Sequence, residues 1–191
     1  MIPMWFMGMA LATGNAMVLK PSEKDPSVPM RLAELWIEAG LPEGVLQVVQ
    51  GDKEAVDALL THDDIKAVSF VGSSDIAHYI ARTCTEQGKR FQAMGGAKNH
   101  GIIMPDADMD QVVNDFLGAA FGSAGERCMA LPVAVPVGEK TADEFVGRIA
   151  EEAAKLRVGI STDGEAHYGP VVSAAHRARV EDYITMGEKE G

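Results

Sequence analysis

Cysteine, histidine and positive charge are all scarce in this 191-residue chain. Two cysteines, Cys84 and Cys128, are too few for a disulfide framework and indicate a reducing compartment. The five histidines, His62, His78, His100, His167 and His176, are scattered with no pair at metal-ligand spacing, which argues against a zinc site. The 17 basic residues stand against 28 acidic ones, and a formal net charge of -11 is a poor footprint for nucleic acid or anionic membrane. Small-molecule partners are the expectation. Long apolar runs are missing too: "MIPMWFMGMALAT" is about a dozen apolar residues, too short to cross a bilayer, and it lacks the basic n-region of an export signal. It reads as a helix buried on all sides. There is no internal repeat, low-complexity tract or long linker. What is present is enough apolar material, 47% of the residues, to bury a core in one domain or in parts of two.

After the apolar helix, short β-branched runs alternate with amphipathic stretches, the pattern of parallel strands joined by crossover helices. "NAMVLKP" reads as a strand stopped by Pro21. A helix starts at Asp25 and Pro26, repeats apolar Leu32, Leu35, Trp36 and Ala39, and stops at Gly40. "GVLQVVQG", "KEAVDALLTH" and "IKAVSFVG" continue as strand, helix and strand, and "SSDIAHYIARTCTEQG" is a helix ending at Gly88. These units predict a Rossmann-like, doubly wound layer. From residue 98 the texture changes to "NHGIIMPDADMDQVV", then a strand in "PVAVPVG" and helices in "TADEFVGRIAEEAAKL" and "SAAHRARVEDYITMGEKEG". The expectation is two domains, 1–97 and 98–191, both α/β.

Four stretches could carry chemistry. Lys20 and Glu23 lie just beyond a predicted strand end, where nucleotides bind in open parallel sheets, although a solvated turn reads the same way. Gly72, Ser73 and Ser74 lie between strand and helix, where unpaired N–H groups suit a pyrophosphate, or where a serine simply caps the helix. Gly95 and Gly96 let the backbone approach a ligand or turn sharply. Cys128 follows the small residues of "FGSAGER", and a neighbouring cation such as Arg127 favours the thiolate that acts as nucleophile. On these residues alone a nucleophile and a structural thiol stand level, whereas Cys84, mid-helix, reads as packing.

Taken in order, "GNAMVLKPSEKDP", "LPEGVLQVVQGD", "SFVGSSDIA", "AMGGAKNHGIIMPDAD" and "AFGSAGERCMALPVAV" resemble the aldehyde dehydrogenase superfamily along essentially the whole chain. "GGAKNH" and "GERCMA" are similar to its CoA-acylating methylmalonate-semialdehyde dehydrogenase branch. The resemblance implies an NAD-binding domain over 1–97 and a catalytic domain over 98–191. It makes Lys20 and Glu23 the ribose-binding pair, turns Lys24 toward the adenosine end of NAD, sets Ser73 on a phosphate and passes Gly95 near the nicotinamide. It makes Cys128 the nucleophile and Arg127 the partner of the substrate's carboxylate, a job suited to a guanidinium fork. The implied reaction turns malonate or methylmalonate semialdehyde into acetyl-CoA or propionyl-CoA with loss of carbon dioxide, in valine or inositol breakdown. It implies NAD as cofactor, coenzyme A as co-substrate, and a homotetramer in the bacterial cytoplasm, or in the mitochondrial matrix of a eukaryote.

Two departures sharpen this. Hydrolytic relatives carry a glutamate that activates water where this chain has Ala93. Water, with a pKa of about 15.7, needs such a base. A thiol of pKa about 8.5 does not, so the alanine favours transfer to CoA. The resemblance also sets an oxyanion-stabilising asparagine before Met1 and a cofactor-contacting glutamate beyond Gly191. The expectation is therefore a fragment lacking both ends, inactive and poorly soluble alone. The alternatives are a hydrolytic NAD(P)-dependent aldehyde dehydrogenase and a truncated, non-catalytic nucleotide-binding module.

Overall fold

The alternation of short strands with amphipathic helices closes three parallel strand pairs in the computed structural model, which describes residues 1–191. The chain divides into two compact units, Met1–Gly96 and Ala97–Gly191. The first unit runs α1 (Ile2–Ala12), β1 (Met17–Leu19), α2 (Ser27–Glu38), β2 (Leu46–Val48), α3 (Lys53–Thr61), β3 (Ala67–Val71), α4 (Ser74–Glu86) and β4 (Arg90–Met94). β1 pairs with β2 in the register Met17 to Leu46, and β3 with β4 in the register Ala67 to Arg90. The second unit holds β5 (His100–Ile103), α5 (Met109–Phe121), a 3-10 turn (Gly122–Gly125), β6 (Val133–Pro136), α6 (Glu139–Ala153) and α7 (Ala174–Glu190). β5 pairs with β6 from His100 opposite Val133. Each pair is thus a strand, a helix and a parallel strand, the crossover unit that the sequence pattern predicts. The pairs share no ladder with one another.

Local chemistry explains the boundaries. Asp108 caps α5 by accepting from the N–H groups of Asp110 and Gln111, at 3.0 and 3.2 Å, and Ser173 caps α7 by accepting from His176 N–H at 3.2 Å. α4 stops where Gly88 takes φ +64°, which lets Lys89 N–H reach back to the Cys84 carbonyl at 2.8 Å. In the first unit Leu60, Ile80 and Cys84 are buried together, with Val56, Val68, Phe70 and Ala93 packed around them. Tyr79 donates to Asp57 Oδ1 at 2.7 Å and pins α4 to α3. Lys53, then Tyr79, hold the Asp57 carboxyl below its ordinary pKa. In the second unit Ile103, Val113, Phe116 and Phe145 form the core, the two rings meeting edge to face with centroids 5.1 Å apart.

Within this chain α1 is covered on one side: Met7 is fully buried, Phe6 and Leu11 are half-buried, and Met1, Ile2, Met4, Trp5 and Met9 are exposed, which falls short of the helix buried on all sides that its composition predicts. The helix lies beside β1, and one neighbouring strand covers only one side of a helix that is apolar all round. α7 buries no residue at all and exposes Val180, Tyr183, Ile184 and Met186. No helix is long and apolar enough to cross a membrane.

Candidate active site

In the first unit each candidate residue follows the carboxyl end of a strand, Lys20, Glu23 and Lys24 after β1, Ser73 after β3 and Gly95 after β4. Lys20 follows β1 directly, and its Nζ donates to the Gly51 carbonyl beyond β2 at 2.8 Å and also to the Pro21 carbonyl. Glu23 Oε2 is 3.7 Å from the same ammonium. Lys20 is 16% exposed and Glu23 48%, so a fixed cation stands beside a carboxylate that remains open to a ligand. Lys24 stays on the surface, its backbone N–H donating to Ser22 Oγ at 3.2 Å, and its side chain has no ion-pair partner.

The ends of β3 and β4 meet the start of α4. Ser73 is the N-cap residue in extended conformation, yet its hydroxyl makes no capping bond, so it and the first N–H groups of the helix are unclaimed. Ser74, by contrast, is used internally: its Oγ accepts from Gly96 N–H at 3.0 Å. A Cβ on Gly95 would stand 2.9 Å from that oxygen and 3.0 Å from Ser74 Cα. Glycine is required there by the helix itself. The unclaimed helix N-terminus and the Glu23 carboxylate are a donor and an acceptor suited to the phosphates and ribose of a nucleotide.

In the second unit Cys128 is a free, exposed thiol. The backbone leading to it contains two successive non-glycine residues in the left-handed region, Ser123 at φ 53° and Ala124 at φ 54°. Each costs roughly 1–2 kcal/mol and persists only where neighbours enforce it, a recurrent feature of active sites. The Arg127 guanidinium turns back and donates to the Gly118 carbonyl in the last turn of α5. Ala130 N–H closes a turn onto the Arg127 carbonyl at 3.0 Å, and Leu131 N–H binds the Ala119 carbonyl at 3.2 Å.

Two contacts at this loop escape any reading of local sequence. Asn99, at the entrance to β5, donates from Nδ2 to the carbonyls of Cys128 at 2.8 Å and Ala130 at 2.9 Å. Glu126 Oε1 meets His176 Nε2 from α7, while the other ring nitrogen accepts from Arg179 at 3.1 Å. An arginine is always a donor, so that nitrogen is unprotonated and Nε2 carries the hydrogen toward Glu126. His176 is thereby committed to Glu126, and no histidine bonds to the Cys128 thiol. A polar residue flanked by a glycine-rich segment was the one available signal for Asn99. No group of three or more His, Cys, Asp or Glu side chains is placed to hold a metal ion.

Residues 1–191 match the aldehyde dehydrogenase family throughout. The chain is 52% identical to a malonate-semialdehyde dehydrogenase of Pseudomonas aeruginosa over all 191 of its residues, which make up 38% of that relative. Among solved structures, it is similar to a protein of Sinorhizobium meliloti assigned as a methylmalonate-semialdehyde dehydrogenase and crystallised with NAD. The identity is 59% and the TM-score 0.96, covering 100% of this chain and 39% of that one. A methylmalonate-semialdehyde dehydrogenase of Oceanimonas doudoroffii matches with 57% identity and a TM-score of 0.96, again over 100% and 39% of the two chains. The chain thus spans well under half the length of the relatives it matches.

Proposed function

The chain belongs to the aldehyde dehydrogenase family, and from that premise we propose that it serves NAD-dependent, CoA-acylating oxidation of malonate or methylmalonate semialdehyde. The observation that carries the proposal is the free, exposed Cys128 on a loop held in left-handed backbone conformation. The Cys128 thiolate adds to the aldehyde carbon and gives a thiohemiacetal. Arg127 has five N–H donors, of which the Gly118 carbonyl takes one hydrogen bond, so the remainder can meet the substrate's carboxylate. NAD, when bound, would supply the hydride acceptor that lets the acyl group remain as a thioester on Cys128. The β-carboxylate departs as carbon dioxide, its bonding pair stays on the α-carbon as a thioester enolate that takes a proton from solvent, and the CoA thiolate displaces the Cys128 thiolate to give acetyl-CoA or propionyl-CoA. Residues 1–97 would hold NAD, with Glu23 and Lys20 at the ribose, Lys24 toward the adenosine end, and Ser73 with the start of α4 at a phosphate. Gly95 would let the backbone pass near the nicotinamide.

Ala93 supports the acyl-CoA product. It lies on β4, packed against the Leu60, Ile80 and Cys84 core, and contributes no group that could activate water. The same reading makes residues 98–191 the catalytic region of a cytoplasmic homotetramer. The test is an assay of the enzyme with malonate semialdehyde and NAD, with and without CoA. CoA-dependent turnover releasing acetyl-CoA is expected. Turnover indifferent to CoA, with free acid as product, would point to a hydrolytic enzyme.

A further inference from the structure

We propose that Asn99 is a positioning residue for the nucleophile, setting the backbone of Cys128 through its side-chain amide. The proposal rests on the reading of Cys128 as the reacting thiol. A carboxamide has two N–H donors, and Asn99 directs its amide to the carbonyls on either side of Met129 at 2.8 and 2.9 Å, near the middle of the range for such bonds. Residues 127–130 belong to neither helix nor strand, so no ladder holds them. Their backbone bonds within the loop amount to the turn from Ala130 N–H to the Arg127 carbonyl. The Cys128 side chain is exposed, and packing does not fix it. What the fold fixes is the backbone from which the thiol projects, and that backbone is tethered from 29 and 31 residues away.

The tether also opposes stored strain. Ser123 and Ala124 are held in the left-handed region just upstream, and a loop with free ends would relax out of it. One end is secured by Arg127 on the Gly118 carbonyl and the other by Asn99. Neither partner of Asn99 is charged or reacting, so its part is geometric. Asparagine is the suitable residue because aspartate of the same shape would turn lone pairs toward both carbonyls, and serine would offer a single donor.

The test measures the iodoacetamide rate constant of Cys128 by peptide mass spectrometry on the 191-residue chain, together with hydrogen exchange at Ala130. A released loop lets the thiol, a small hydrophobe, turn from solvent toward neighbouring Met129 and Leu131. Asn99→Ala is expected to slow Cys128 alkylation at least threefold and to speed Ala130 exchange about thirtyfold, the loss of both Asn99 hydrogen bonds. Asn99→Asp should be slower still, and Asn99→Ser should lie between alanine and wild type. Throughout, buried Cys84 should stay unlabelled. A flat series overturns the proposal, as does a fall seen only in variants where Cys84 becomes reactive. Failure of the CoA-acylating reading would instead appear as CoA-independent turnover and would leave these rates untouched.

Discussion

Gly95 and Ser74 stand so close that no side chain fits between them: a Cβ on Gly95 would lie 2.9 Å from Ser74 Oγ and 3.0 Å from Ser74 Cα. The same hydroxyl accepts the Gly96 N–H at 3.0 Å. The end of β4 is thereby pressed onto the first turn of α4, where the proposed phosphate site lies.

Gly95→Ala is expected to cost about 1–3 kcal/mol, the range for overpacking. Ser74→Ala should cost about 1 kcal/mol through the lost hydrogen bond. The double variant should recover little, because the added methyl still meets backbone at Ser74 Cα. Urea midpoints of the three variants decide this.

The two thiols should separate chemically. Burial pushes the Cys84 thiol up, opposed in part by the charge of Lys89, while Cys128 is exposed. At pH 8 iodoacetamide should label Cys128 and spare Cys84. Because the folded Cys84 holds its proton longer than the unfolded one, its contribution to stability is complete below the unfolded thiol pKa of about 8.5 and is lost as pH rises through the folded value. Between pH 7 and pH 10 the urea midpoint should therefore fall less steeply in Cys84→Ala than in the wild type.

Arg127 joins a loop to a helix end. Arg127→Ala removes a cation from the last turn of α5 and should cost about 0.3–1 kcal/mol. In the proposed reaction the same change should lower kcat/KM for malonate semialdehyde by roughly 10- to 150-fold, the worth of a charged hydrogen bond. Propanal, which has no carboxylate, should be oxidised at nearly the wild-type rate. Equal losses with both aldehydes would assign Arg127 to the thiol or the loop.

Lys20 ties the ends of β1 and β2 together. Lys20→Met keeps the apolar stem and removes the donors to Gly51 and Pro21. Stability should fall by about 1 kcal/mol, and NAD affinity, read by fluorescence titration, by roughly tenfold.

The exposed apolar residues of α1 and α7 should drive self-association of the 191-residue chain. Light scattering is expected to rise with protein concentration. Met4→Glu combined with Ile184→Lys should reduce it without altering the unfolding free energy, read from urea titration, by more than about 0.5 kcal/mol, as for surface changes.

By itself the sequence determined whatever depends on neighbours a few residues apart. Helical spacing and stop signals such as Gly40 and Gly88 marked the helices, β-branched runs marked the strands, and their alternation implied parallel crossovers. Tertiary structure decided what depends on distant partners. The sequence placed Arg127 beside Cys128, but the folded loop turns the guanidinium to Gly118. Glu126 and His176, 50 residues apart, meet only because α7 returns to the loop. Apolar composition showed that α1 has surface to bury but not how much of it one strand would cover. Asn99 offered no periodicity and no motif chemistry, since a carboxamide acquires a task only when two carbonyls are brought within 3 Å of it. Hydrogen bonds act over that length, and sequence spacing measures the chain, not the distance across the fold.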